Sequence, residues 1–245
     1  RSDDGGETWA LNDGLWRHAD RVKWFGVAGG EQPGLSAVLI HPTDPDDIRI
    51  AVSCGGVWAT TDGGASWRVI NKGMHNEYMP PDQQSDPIAQ DVHMIARCRD
   101  VPDVIWCQHH SGVFRSTDGG ENWTGIDAAL PSGFGFAVVA HPSDPQTAWF
   151  VPAVKDEKRI PMDGKIVVSR TRDGGENFEV LSRGLPQHHA YDLTHRHALA
   201  IDATGERLVF GTTSGGLWIS EDGGESWTAP EARLPPIAAV RFAAA

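Results

Sequence analysis

Thr60-Thr61-Asp62-Gly63-Gly64-Ala65-Ser66-Trp67 is written, with small changes, five times in this 245-residue chain. The other copies run from Ser2 to Trp9, Ser116 to Trp123, Thr171 to Phe178 and Ser220 to Trp227. Their aspartates, Asp4, Asp62, Asp118, Asp173 and Asp222, lie 58, 56, 55 and 49 residues apart. One unit of about fifty residues is therefore being repeated. Alternating runs such as Gly56-Val57-Trp58-Ala59-Thr60 and Gly112-Val113-Phe114-Arg115-Ser116 stand directly before the copies and read as strands.

Within each copy the residue types point to a tight turn. A short carboxylate accepts bonds from turn amides, and glycine supplies backbone angles closed to other residues. The aromatic residue that follows can fold beneath the turn. Five such aspartates read as structural staples; a calcium site would need more oxygen ligands than one carboxylate per loop. A lone four-stranded sheet leaves two apolar faces in water, whereas blades stacked around an axis cover each other's faces. The fold class expected is all-β, a β-propeller of four-stranded antiparallel blades.

Full blades are expected at 35–72, 88–130, 134–183 and 190–229, within a single propeller domain spanning 1–245. Residues 1–20 and a closing strand at 237–242 would supply parts of another, giving about five blades, and the start at Arg1, one residue before a turn, suggests part of a larger six- to eight-bladed ring. His41-Pro42-Thr43-Asp44-Pro45 and His141-Pro142-Ser143-Asp144-Pro145 read as turns between first and second strands, with His41 and His141 in structural roles. Such turns and the aspartate turns would open on one face. The turns between second and third strands, and the crossovers between blades, would open on the other.

Composition narrows the classes of function. With 33 acidic against 21 basic residues and a formal charge of -12, the chain lacks the footprint of a nucleic-acid binder. No run approaches the roughly 18 apolar residues of a membrane span. Three cysteines, Cys54, Cys98 and Cys107, show no metal-ligand spacing and read as reduced thiols, although Cys98 and Cys107 could face each other on adjacent strands. Their odd number favours the cytoplasm, with a secreted or periplasmic location left open by the absence of an initiator Met.

The irregular face collects the candidate site residues. The crossover after the first full blade carries Glu77, Tyr78, Asp91 and His93; the next turn carries His109 and His110. An enlarged turn holds Lys155 to Lys165, including Arg159, and a last crossover brings Tyr191, Asp192, His195, Arg196 and His197. Asp91, Glu77, Asp192 and Tyr191 are the candidates for catalysis, because glycoside hydrolysis needs an acid and a second carboxylate or an activated phenol on either side of the scissile bond. His93, His109, His110, Arg159, His195, Arg196 and His197 are candidates for ligand binding, the guanidinium groups suiting an anionic or sugar ligand. No cofactor is required, but His93, His109 and His110 could hold a metal ion, with His197 as another reaching group.

The repeated Ser/Thr-x-Asp-x-Gly-x-Ser/Thr-Trp line resembles the Asp-box of bacterial sialidases, sortilin-like receptors, some cellulose and xyloglucan hydrolases and a photosystem assembly factor. Over nearly the whole chain, with lines such as His141 to Pro145, Gln108-His109-His110-Ser111-Gly112-Val113 and Leu130 to Phe136, the sequence is similar to bacterial Asp-box (BNR) repeat proteins of the WD40/YVTN/BNR-like group. These are labelled sialidase-like or glycosyl-hydrolase-like. The resemblance implies a propeller with Asp-box turns and a hydrolase ancestry. It does not carry a sialidase site: Arg159-Ile160-Pro161 matches the letters of the sialidase Arg-Ile-Pro segment but lies in a late loop. Two alternatives stand beside hydrolysis: a non-catalytic propeller binding carbohydrate or protein, and a scaffold with a histidine-rich metal site at the channel mouth.

Overall fold

The structure, a computed structural model, describes residues 1–26 and 33–243. Its strands fall into four antiparallel sheets in chain order. The first contains β1 (Leu35–Ile40), β2 (Ile48–Val52), β3 (Gly56–Thr60) and β4 (Arg68–Val69). The second contains β5 (Val92–Arg97), β6 (Ile105–His109), β7 (Gly112–Ser116) and β8 (Thr124–Ile126). The third contains β9 (Gly135–Ala140), β10 (Ala148–Pro152), β11 (Val168–Thr171) and β12 (Glu179–Leu181). The fourth has three strands, β13 (Leu199–Ile201), β14 (Leu208–Gly211) and β15 (Leu217–Ser220), with Thr228 bridging Ile219 where a fourth strand would lie.

The two-residue period of the strands explains how the sheets stack. In β6, Ile105 and Cys107 enter a core shared with Ala51, Val57 and Ile70 of the first repeat, whereas Trp106 enters a core shared with Val138 and Phe150 of the third. In β10, Ala148 and Phe150 face back to that second core while Trp149 and Val151 join Leu208 and Phe210 of the fourth sheet. Each sheet thus lends one face to each neighbour, and β1, β5, β9 and β13 lie beside one another in that order. This is the stack of a β-propeller. The outward face of the first sheet, with Ile50, Val52 and Trp58, is covered by Leu15 and Trp24 from the N-terminal segment.

The same alternation corrects one expectation. Cys98 and Cys107 lie on opposite faces of the second sheet, in different cores, and all three cysteines are free.

Both kinds of turn expected on one face do meet there. Amides of the aspartate turns, at Gly63, Gly119, Gly174 and Gly223, donate to Asp46, Asp103, Gln146 and Glu206 in the adjoining first turns at 2.8 to 3.0 Å. Within the Asp62 turn, the Thr60 hydroxyl donates to Oδ1 at 2.7 Å and accepts from the Gly64 amide at 2.9 Å. Asp62 then accepts from the Ser66 amide and hydroxyl at 2.9 and 2.6 Å. Asp4, Asp118, Asp173 and Asp222 are bonded in the same way. His41 and His141 accept turn amides through Nδ1, as a structural role requires.

Residues 237–240 run beside the entry to the fourth sheet: Ile237 donates to Thr212, Val240 donates to His197, and Ala239 forms a parallel bridge with His197. Among the described residues no hydrogen bond joins this segment to residues 1–26.

Candidate functional site at the irregular end

At the opposite end of the sheets, the first crossover reaches over the turns between second and third strands. The Gly56 amide donates to Gln90, the His110 amide to Asp91, and the Glu77 amide to the Ser111 hydroxyl. Asp91 enters this end just ahead of β5, and His93 follows within the strand. A register shift between Val92 and Met94 interrupts the pairing of β5 with β6 at His93. Such a bulge re-aims the side chain at its position. Here it places the imidazole flat against Phe136, 4.4 Å between centroids and 14° between planes.

Asp91, His93 and His110 converge. The Nδ1 of His110 lies 3.0 Å from Asp91 Oδ2, His93 Nε2 lies 3.9 Å from the same oxygen, and the two ring nitrogens are 3.2 Å apart. These three ligand atoms form a group within 4.8 Å that could hold a metal ion. The other carboxylate oxygen accepts from the Ser53 hydroxyl at 2.9 Å and the Cys54 amide at 3.3 Å. Cys54 adopts φ +56 in the tight turn between β2 and β3, in the left-handed region that a non-glycine residue adopts at some strain.

Burial of Asp91 would raise its carboxyl, but the bond from His110, the charges of His93 and His110 and the Ser53 hydroxyl hold it well below the usual carboxylate range. Burial pushes the His93 imidazole down to about 4.

Arg196 arrives at the same place from the last crossover. Its guanidinium lies 5.3 Å from the Phe136 ring and donates to the Ser53 hydroxyl over a long 3.4 Å, while its Nε is buried without a partner. Arg159 also lies 5.3 Å from Phe136 and pairs with Asp156, and the His195 ring lies 6.4 Å from the same phenyl group. Burial, followed by the fields of Arg196 and Arg159, lowers the His195 pKa. The crossovers of residues 75–93 and 188–197 therefore share one end.

Several candidates lie apart from this group. His109 is fully buried, stacks edge-on with Phe114 and accepts the Ser111 amide at 3.0 Å, so it caps its own turn. Its ring packs on Phe114, whereas the His110 ring, in the turn after β6, packs against Tyr78, His93 and Phe134. The third ligating group beside the two imidazoles is thus Asp91 and not His109. His197 Nδ1 lies 3.3 Å from Arg241 at the trailing segment. Asp192 accepts from the Thr212 hydroxyl at 3.1 Å, and Tyr191 is 64% exposed.

Two openings serve this end. A cavity of about 210 Å³ is lined by Glu77, Tyr78, His110, Phe134 and Lys155, with the Tyr78 ring 4.2 Å edge-on to His110. A second, of about 470 Å³, is bounded by Lys158, Pro161, Met162, His188, His189 and Tyr191. Sequence reasoning missed Phe134, Phe136 and Ser53 as the floor of the site. The only signal was their position at strand ends, Phe134 and Phe136 at the start of β9 and Ser53 just after β2.

No protein-family model matches the chain. A xyloglucanase from a Paenibacillus species is 29% identical over 156 residues, 55% of this chain and 13% of that protein. The chain thus spans a small part of the curated relative it matches, and the match is a distant glycosyl-hydrolase-like link. Among solved structures, the GH74 xyloglucanase from Xanthomonas campestris has a TM-score of 0.61 at 19% identity, covering 95% of this chain and 34% of that one. An ancestral GH74 enzyme has a TM-score of 0.58 at 16% identity, covering 83% of this chain and 25% of that one. YCF48 from Cyanidioschyzon merolae has 0.53 at 17% identity, covering 80% and 56%. At such identities the likeness establishes a β-propeller-like fold, and the sialidase-like reading rests on the sequence resemblance alone.

Proposed function

We propose that this chain is a non-catalytic binding propeller that takes a polar, carbohydrate-class ligand at its irregular end. The carrying observation is how Asp91 is held. Both of its oxygens are engaged by Ser53, Cys54 and His110, and its pKa is depressed. A glycosidase acid needs the reverse, a carboxyl kept protonated near neutral pH and facing a second carboxyl about 5 to 9.5 Å away. The group around Asp91 is completed by imidazoles, and Glu77, Tyr191 and Asp192 have separate local partners or face solvent.

The cavity beside Tyr191 suits a sugar. An exposed phenol ring offers a flat apolar platform with a polar tip, and Lys158, His188 and His189 at the rim offer hydrogen-bonding groups. The distant link to a xyloglucanase supports an oligosaccharide as the first probe. Xyloglucan oligosaccharides should bind saturably by calorimetry, and Tyr191→Ala should weaken them by ~tenfold, the loss of one aromatic anchor. A panel of fluorogenic glycosides should be left intact. Turnover that disappears in Asp91→Asn would overturn the non-catalytic reading, and absence of any saturable glycan binding would overturn the ligand class.

A further inference from the structure

We propose that Asp91, His93 and His110 form a site for one divalent transition-metal ion of the zinc class, with its fourth position open towards solvent. Three observations carry it: ligand spacing, ligand orientation and access.

A zinc ion bound at about 2.0 to 2.2 Å in a tetrahedron needs ligand atoms about 3.4 Å apart. The three separations here, 3.0, 3.2 and 3.9 Å, bracket that value. Two imidazoles and one carboxylate select zinc, cobalt or nickel over calcium and magnesium, which prefer all-oxygen shells.

Orientation is set before any ion arrives. His93 Nδ1 lies 2.7 Å from the Gly135 carbonyl, which can only accept, so the proton sits on Nδ1 and the lone pair of Nε2 faces the group. The Asp91 oxygen turned away from the group is fixed by the Ser53 hydroxyl and the Cys54 amide. Outer bonds of this kind hold ligands in biological zinc sites. Stacking of His93 on Phe136 adds a rigid floor.

Access comes through the cavity of about 210 Å³ that His110 lines, its side chain 11% exposed against 9% for Asp91 and 2% for His93. Without an ion, a proton on His110 Nδ1 faces the His93 Nε2 lone pair at 3.2 Å and Asp91 Oδ2 at 3.0 Å. On binding, Nδ1 gives up that proton to solvent, and a neutral ring carries its proton on Nε2 instead. Asp91 neutralises one of the two ionic charges, and Arg196 beside Ser53 adds another positive one, so the open position favours water, hydroxide or a small anion.

The site does not depend on the glycan reading, which the calorimetry with oligosaccharides decides separately. The test is titration of chelator-treated protein with cobalt(II) and zinc(II). One equivalent of cobalt should bind with the intense visible bands of a four-coordinate ion, and zinc should displace it. His93→Ala and His110→Ala should each lower affinity at least ~100-fold, Ser53→Ala by ~10-fold, and the exposed His75→Ala should leave it unchanged. Ser53→Ala keeps all three ligands, so it reports even if a histidine variant fails to fold. Absence of saturable cobalt binding by the wild-type chain, weak bands of a six-coordinate ion, or equal binding by all variants would overturn the site.

Discussion

The aspartate turns show one residue answering several backbone demands at once. Hydroxyl and amide donors at Thr8 or Ser66 hold the carboxyls of Asp4 and Asp62 well below the ordinary carboxylate range, and Asp173 is lowered first by the Asn177 amide. Since the folded pKa values lie below the unfolded ones, these groups add stability above about pH 4, and that stability is lost as pH falls through the folded values. Thermal melts from neutral to acid pH should therefore show a falling midpoint that begins near the unfolded carboxylate pKa. Asp118→Ala, which strips acceptors from Ser116 and Asn122, should cost about 1–2 kcal/mol at neutral pH by chemical denaturation. The same variant should flatten the acid slope. This part was legible from the letters alone, because spacing within eight residues sets the turn. The tryptophan was only partly legible: Trp9, Trp67 and Trp227 bond a carbonyl of their own turn, but Trp123 reaches the Ile70 carbonyl of the preceding repeat.

Between elements, the decisive contact is a backbone latch absent from any motif. The Trp123 amide donates to the Lys72 carbonyl at 2.8 Å, and the Trp227 amide to the Arg183 carbonyl at 2.9 Å. The following glycines, Gly73 and Gly184, sit at φ +93 and +88, where an added Cβ would meet the carbonyl oxygens of Trp123 and Trp227 at 2.1 and 2.0 Å. Gly73→Ala and Gly184→Ala should each destabilise by about 2–4 kcal/mol, from left-handed strain plus overpacking. Trp123→Ala, in the core between the first two sheets, should lose about 3–5 kcal/mol. Denaturant melts check both. Strand alternation was readable because the period of two is local. Which sheet receives each face was not, since that depends on the order of stacking.

Across the whole molecule, the end that bears the candidate site and members such as Asp91, His93, His110 and Arg196 can be named from sequence, but how they group cannot. The letters set Asp91 among acids and His109 beside His110, whereas the fold turns Asp91 onto two imidazoles and buries His109 apart. A bulge at His93 and the adjacency of β5 and β9 made the difference, and neither leaves a mark in one repeat. Arg196 spans 143 positions to reach Ser53, tying the last crossover to the first sheet. In Arg196→Ala, amide exchange at Cys54 to Val57 should quicken while the interior of β10 stays protected; unchanged exchange would mean the tie contributes nothing. The latch has a further implication for how such chains grow. Among the described residues it joins the first repeat to the second and the third to the fourth, while between the second and third Ala128-Ala129 stand where the others have Lys72-Gly73 and Arg183-Gly184, and no such bond forms. Recombination that adds or deletes two full periods therefore restores a matched pair at the new junction, whereas a single period would set a latched half against an unlatched one.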